Sequence, residues 1–331
     1  MALKLFTAAT IIIALAVAPL ANADTPVKYS GMCDASAAVP VDSSRFIVAN
    51  DEDNILRVYK SDESGELIYS QDISCFLQID PKGKSPEADI EGATLIGSRI
   101  YWISSHGTND EGEPRPNRLR FFATDIESNG NHINLKSVGI PFLDLVKALE
   151  NSADLKKFNL GEAAKKPTKS EEGLNIEGLT RTPEDKLLIG FRSPIPDKKA
   201  LLVSLENPQA VIEAKAEPKL GKPILLNLGG LGIRSIEYSD AKKAYFIIAG
   251  SYDTEGDFKL YQWSGNDSDT PKQIEGVNFQ GLNPEALIMY PEEKTRLQLL
   301  SDDGAEKING EKCKKLDPKD QSFRSIWVSL P

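Results

Sequence analysis

The sequence predicts an all-β chain, a β-propeller of about five four-stranded blades with one short helical insertion. Three observations predict it. A short acidic motif recurs along the chain, fullest as Gly173-Leu174-Asn175-Ile176-Glu177-Gly178-Leu179-Thr180. Other copies read Ala88-Asp89-Ile90-Glu91-Gly92-Ala93-Thr94, Arg234-Ser235-Ile236-Glu237-Tyr238 and Asn283-Pro284-Glu285-Ala286-Leu287, and a degenerate first copy, Cys33-Asp34-Ala35-Ser36, has Ser36 in place of Glu. Next, runs of apolar, β-branched and aromatic residues of strand length follow each copy, separated by polar turns. Last, the motif positions Ser36, Glu91, Glu177, Glu237 and Glu285 stand 55, 86, 60 and 48 residues apart. Setting aside an insertion in the long interval brings the spacing near the roughly 40–50 residues of a propeller blade with its loops. A unit of four short strands cannot bury both its faces alone, so such units stack radially. Six blades result if the insertion hides a degenerate one.

The elements follow in order. Thr25 to Ser30 reads as an edge strand. Arg45 to Ala49 and Ile55 to Tyr59 flank the polar turn Asn50-Asp51-Glu52-Asp53-Asn54, a hairpin whose turn resembles a calcium-loop fragment but lacks the EF-hand spacing and its final Glu, and so reads as solvated. Glu66 to Gln71 and Cys75 to Ile79 supply further strands. In the second unit Arg99 to Ser104 pairs with Arg118 to Ala123 across the Gly/Pro-rich loop Ser105 to Asn117, and Ile133 to Val138 is extended. Between Pro141 and Asn151 the period changes: Phe142, Leu143, Leu145, Val146 and Leu149 fall on one helical face. This helix and the Lys-rich stretch up to Ser170 form the insertion, residues 141–170. The third unit carries Lys186 to Arg192, Ala200 to Val203, Ala210 to Ala214 and Pro223 to Leu228 as strands. The fourth carries Ala244 to Ala249 and Phe258 to Trp263, and the fifth Leu297 to Ser301. Phe323 to Leu330 is placed to close the ring with the first strand.

Composition narrows the function classes. With 39 Lys+Arg against 49 Asp+Glu, a formal charge of −10, the chain is a poor ligand for nucleic acid, which needs clustered cations. Residues 1–23 read as a secretory signal: Lys4, an apolar run from Ala8 to Val17, and Ala21-Asn22-Ala23 before Asp24. Residues 24–331 then form a single propeller domain, periplasmic or secreted, with no membrane span, read as a monomer. Three Cys remain, enough for one disulfide in an oxidising compartment. Cys33–Cys75, both in the first repeat, is the first pairing to consider. Cys313 is the alternative, since the sequence alone leaves connectivity open. With no paired Cys at knuckle spacing and only 2 His, a structural zinc site is not expected.

The chemistry should lie at one mouth of the central channel. Each motif carboxylate precedes an innermost strand, so Glu91, Glu177, Glu237 and Glu285 are expected to converge there. Such oxygens suit a hard cation, calcium above all, to which Asp34, Asp89 and Asn175 could add further oxygens. The structural alternative is that each Glu locks the ring by bonding to backbone N–H groups or to Arg57, Arg192 or Arg234. His106, just past a strand end, is the candidate for proton transfer. No Gly-x-Ser-x-Gly elbow marks a nucleophilic serine. Gly229-Gly230-Leu231-Gly232 lacks a following helix pattern and reads as a tight turn delivering Arg234 and Glu237 to the channel. Asp302-Asp303-Gly304 reads as a solvated turn.

Cys33 to Ala38, Ala49 to Arg57, Tyr101 to His106, Gly173 to Thr180 and Gly230 to Glu237, in order along most of the mature chain, together resemble an uncharacterised family of bacterial exported proteins known only as a domain of unknown function. The resemblance implies a propeller-like fold and brings no activity. The Asp-x-Glu-Gly pattern is more loosely similar to phytase-like and esterase-like propeller proteins, some of which use calcium to handle phosphate esters. Two functions remain open. In one, the channel mouth binds a small ligand or cation, in its most specific form as a calcium-dependent phosphoesterase-like hydrolase. There the four Glu would hold the metal, Arg57, Arg192 and Arg234 would meet a small anionic ligand, and His106 would move the proton. In the other, the protein is a non-catalytic scaffold for an envelope protein or a glycan. An enzyme needs its Arg and Glu side chains open to a pocket, whereas a scaffold has them paired and closed.

Overall fold

A computed structural model describes residues 25–130, 132–253 and 256–331. The expected leader, residues 1–23, lies outside them. Five four-stranded antiparallel sheets form a ring of blades. The first blade runs Ala37–Pro40, Arg45–Ala49, Ile55–Lys60 and Tyr69–Asp72, from the channel outward. The second runs Ile90–Ile96, Arg99–Ser104, Phe121–Asn129 and His132–Phe142. The third runs Asn175–Arg181, Leu187–Ser193, Ala200–Leu205 and Leu220–Leu226. The fourth runs Gly232–Ser239, Ala244–Gly250, Lys259–Trp263 and Lys272–Gln273. The fifth runs Pro284–Ile288, Arg296–Ser301 and Ser322–Ser329, and its outermost strand is the N-terminal Val27–Ser30. Val27 pairs with Ser325 and Ser30 with Ser322, so the two chain ends close the ring as expected.

Burial explains the stacking. The second strand of each blade is almost wholly buried, which is why these strands read as continuous apolar runs. Five apolar clusters form the core, one between each pair of neighbouring blades. The fifth and first blades meet around Tyr29, Phe46, Tyr59 and Phe323, and the first and second around Ile47, Ile100 and Trp102. Ile103, Phe121, Leu179 and Phe191 join the second to the third. Leu202, Ile236 and Tyr245 join the third to the fourth, and Phe246, Leu299 and Ile326 the fourth to the fifth. Hydroxyls latch the innermost strands to each other. Thr94 accepts the Arg181 N–H at 3.1 Å, Thr180 that of Tyr238 at 3.0 Å, and Ser235 that of Leu287 at 3.1 Å.

The insertion holds the expected helix, Leu145–Asn151, followed by the short helix Leu160–Ala163. Their Leu145, Leu149 and Leu160 seal the core between the second and third blades. Two expected strands are helical instead. Pro208–Ala214 is a helix, because Pro208 sits in the first turn, where its missing N–H costs nothing. Ser74–Leu77 is a single helical turn that carries Cys75. The disulfide joins Cys33 to Cys313 rather than to Cys75, which is exposed and free. Ring closure explains the difference. The loop after the fifth blade's second strand folds beside the entry to the first blade, bringing together residues separated by 280 positions. Among the described residues no helix is long and apolar enough to cross a membrane.

Candidate functional site

A β-bulge at the start of the innermost strand builds the site in four blades. Ile90 faces Ser104 and Gly92 faces Ile103, leaving Glu91 unopposed. Glu177 is the extra residue between Ile176 and Gly178, Arg234 between Ile233 and Ser235, and Glu285 between Pro284 and Ala286. A bulge re-aims the side chain it frees, here towards the channel axis. A small residue always follows: Ala37 after Ser36, then Gly92, Gly178, Ser235 and Ala286. Neighbouring strands approach too closely for more, since a Cβ on Gly178 would lie 2.8 Å from Ile233 Cγ2 and 3.0 Å from Gly190 Cα.

This register corrects one expected ligand. Arg234, not Glu237, holds the fourth position of the ring. The Ser-x-Glu spelling of residues 235–237 imitates the motif, but the small residue that marks the register is Ser235 itself. With Arg234 in place, the last intervals become 57 and 51 residues, more even than 60 and 48. Glu237 lies further down the strand, lining a separate cavity of about 240 Å³ with Arg181, Tyr238, Asp240, Met289 and Tyr290. Burial pushes its carboxyl up to about 8, only partly offset by Arg181.

Arginines hold two of the ring carboxylates. Arg192 donates to Glu177 Oε1 at 2.8 Å, Arg234 Nε lies 3.1 Å from Glu177 Oε2, and the Arg234 guanidinium also pairs with Glu285. Asn175 adds a bond to Glu177 at 2.8 Å. Arg57 stands apart from the cavity and grips Asp53 through both its terminal nitrogens, at 2.9 and 2.7 Å. His106 is off the cavity as well. It is buried, its Nδ1 donates to the Ser104 carbonyl at 2.7 Å, and it borders an apolar cleft beneath the insertion with Leu143 and Val146. Burial drives its pKa down to about 4, so the ring is neutral at pH 7.

Above the ring opens a cavity of about 700 Å³. Asp34, Asp51, Glu52, Asp89, Glu91 and Asp302 line it, with Arg118, Lys314, Arg192 and Arg234. Single oxygens of Asp51, Asp89 and Glu91 lie within 4.8 Å of one another, and so do those of Asp34, Asp51 and Glu52. Asp89 holds φ +55°, with its carbonyl taking the Ser105 N–H at 2.9 Å and its carboxylate facing Arg118 at 3.0 Å. Glu52 pairs with Lys314 at 2.6 Å. Glu91 has neither a hydrogen-bonding partner nor an ion pair among the described residues, although it is only 9% exposed. Burial, then Glu177, Asp89 and Asp51, push its carboxyl well above the usual range. Burial and then Asp302 do the same to Asp51, whose Oδ1 is buried without a partner. Asp34, raised by burial, shares a hydrogen bond with Asp302, so one of the two carries a proton.

Asp51, Glu52 and Asp302 were not anticipated, because their turns read as solvated. A signal was available. Each innermost strand starts at the mouth, so the antiparallel second strand ends there. Asp51 and Asp302 both lie just past such an end, at Ala49 and Ser301.

Residues 134–298 match the family model described as "Protein of unknown function (DUF3616)". The matched span runs from the outer strand of the second blade into the second strand of the fifth, and the family has no established activity, as the resemblance implied. No curated protein matches the chain. Among solved structures the chain is similar to the glutaminyl cyclase of Myxococcus xanthus, at 12% identity over 93% of this chain and 97% of that one, with a TM-score of 0.46. It is also similar to the PQQ-bound aldose sugar dehydrogenase of Streptomyces coelicolor, at 8% identity over 92% and 97%, with a TM-score of 0.45. At these identities and TM-scores, neither activity transfers to this chain.

Proposed function

We propose that this propeller binds a hard divalent cation, calcium above all, at the upper mouth of its channel, and that the ion organises a small polar ligand in the cavity. One observation carries the reading. Glu91 is buried and unpartnered among the described residues, and one of its carboxylate oxygens lies within 4.8 Å of those of Asp51 and Asp89. A buried carboxylate is costly unless protonated, paired or bound to a metal. Three converging carboxylates suit calcium, which takes several oxygens, carbonyl and water among them, in flexible geometry. Hydrolysis of phosphate esters draws less support than binding. Arg57, Arg192 and Arg234 are engaged by Asp53, Glu177 and Glu285, and His106 borders another cleft. The closed Arg192–Glu177–Arg234–Glu285 chain favours a second reading, a scaffold whose ring needs no ligand to hold it. We place the protein in the periplasm or outside the cell, on the Cys33–Cys313 disulfide.

Calorimetric titration of the mature protein with calcium chloride, with thermal melting alongside, tests the cation site. Saturable heat and a raised melting temperature, both sharply reduced in Glu91→Gln, are expected. No heat and no shift would sink the cation reading in favour of the scaffold.

A further inference from the structure

We propose that the mouth holds two divalent cations bridged by Asp51: an inner ion between Asp51, Asp89 and Glu91, and an outer ion between Asp51, Asp34 and Glu52. The inference rests on the cation reading and extends it from one ion to a pair.

Geometry supplies the first argument. The two carboxylate triads share one member, Asp51. A bridging carboxylate can give one oxygen to each ion, and Asp51 Oδ1 is buried with no hydrogen-bonding partner among the described residues. Nothing else in the described structure accounts for placing that oxygen there. Asp34, on the outer side, is also buried, at 4% exposure. Asp302 is a further carboxylate neighbour, with which it shares a hydrogen bond.

Charge supplies the second. The lower ring is balanced, with Arg192 and Arg234 against Glu177 and Glu285. Glu91, the ring's remaining carboxylate, and Asp34, Asp51, Glu52, Asp89 and Asp302 are among the acidic groups that line one cavity. Arg118 pairs with Asp89 and Lys314 with Glu52. Asp34, Asp51, Glu91 and Asp302 are left without a paired cation among the described residues, and Asp34 and Asp302 share one proton. An outer ion would displace that proton, and two divalent ions then match the four carboxylates, whose mutual repulsion burial strengthens. The sites are not equivalent. The outer ion must share Glu52 with Lys314, whereas Glu91 has no competing cation bonded to it, so the inner ion binds first.

The test uses the full mature chain and calcium chloride as the only ligand. Calorimetry should resolve two binding events of unequal affinity. Asp34→Asn should abolish the weaker event and leave the stronger within about threefold, Glu91→Gln should abolish the stronger, and Asp51→Asn should weaken both by at least about tenfold, as expected when a charged oxygen ligand is lost. Circular dichroism without calcium checks that each variant folds. A measurement on the unaltered protein stands beside these: loading with mixed terbium and europium should give energy transfer between lanthanides on the same chain. One event per chain, unchanged in Asp34→Asn and without lanthanide transfer, overturns the pair and leaves the single-ion reading intact. No event at all overturns both.

Discussion

Arg234 Nε lies 3.1 Å from Glu177 Oε2, with both side chains buried at the channel axis. The same guanidinium also pairs with Glu285, so one arginine from the fourth blade ties the third to the fifth. Arg192 closes the cluster from the other side of Glu177. The lower ring is thus self-neutralising, and the unpaired acidity lies above it, on Glu91 and the turns.

Replacing Arg234 with Met should be severely destabilising. It leaves Glu285, and one oxygen of Glu177, buried without a countercharge. Breaking a buried pair from one side costs about 3–5 kcal/mol. The loss should appear as a lower urea midpoint with an unchanged slope. A change below about 1 kcal/mol would mean that water reaches these carboxylates.

The Cys33–Cys313 bond joins the entry of the first blade to the loop between the second and third strands of the fifth. Replacing both cysteines with Ser should cost about 2–5 kcal/mol in thermal or urea unfolding. Cys75→Ser, at an exposed free thiol, should stay within about 0.5 kcal/mol. Peptide mapping under non-reducing conditions should recover the 33–313 crosslink, and recovery of a 33–75 crosslink would refute the ring-closure geometry.

Glu237 gives stability a pH dependence. Its carboxyl stands at about 8 in the fold against an ordinary 4.5. The folded state therefore holds the proton more tightly than the unfolded chain. That stability is fully present below about 4.5 and is lost as pH rises through about 8, at up to about 1.4 kcal/mol per pH unit. Glu237→Gln should flatten that part of the profile and raise the melting temperature at pH 8–9 relative to the unaltered protein. Parallel profiles for the two proteins would show that Glu237 is solvated.

Gly178 should accept no side chain. A Cβ there meets Ile233 Cγ2 at 2.8 Å and Gly190 Cα at 3.0 Å. Gly178→Val should cost at least about 1–3 kcal/mol through overpacking between blades. Gly65→Ala, where the nearest atom to the new Cβ is Glu63 O at 3.9 Å, is the matched control and should be near neutral.

The repeat was legible because its causes are local. An apolar second strand, a small residue at the blade contact and an acidic or polar residue before it recur whenever a blade is built. In the fourth copy Glu237 matches the motif by spelling but not by register, because the structure follows the small residue: Ser235 corresponds to Gly92 and Gly178, and this places Arg234 at the axis. The turns of Asp51 and Asp302 conceal their place at the mouth for a related reason. An acidic turn looks the same in sequence whether it faces solvent or a channel mouth, and only its position at the end of a second strand separates the two.

By itself the sequence determined the all-β repeat, the blade count of about five, the helical insertion and the strands that close the ring. Periodicity and residue size control these features, and both act over a few neighbouring positions. Tertiary structure alone decided which carboxylates meet. Asp34, Asp51 and the Asp89–Glu91 pair come from three separate segments, and the arginines that neutralise Glu177 come from the third and fourth blades. It also decided the disulfide, since the partners lie 280 positions apart and meet only when the ring closes. Whether a buried charge finds a countercharge depends on distances across the channel, and these exist only once all five blades are in place.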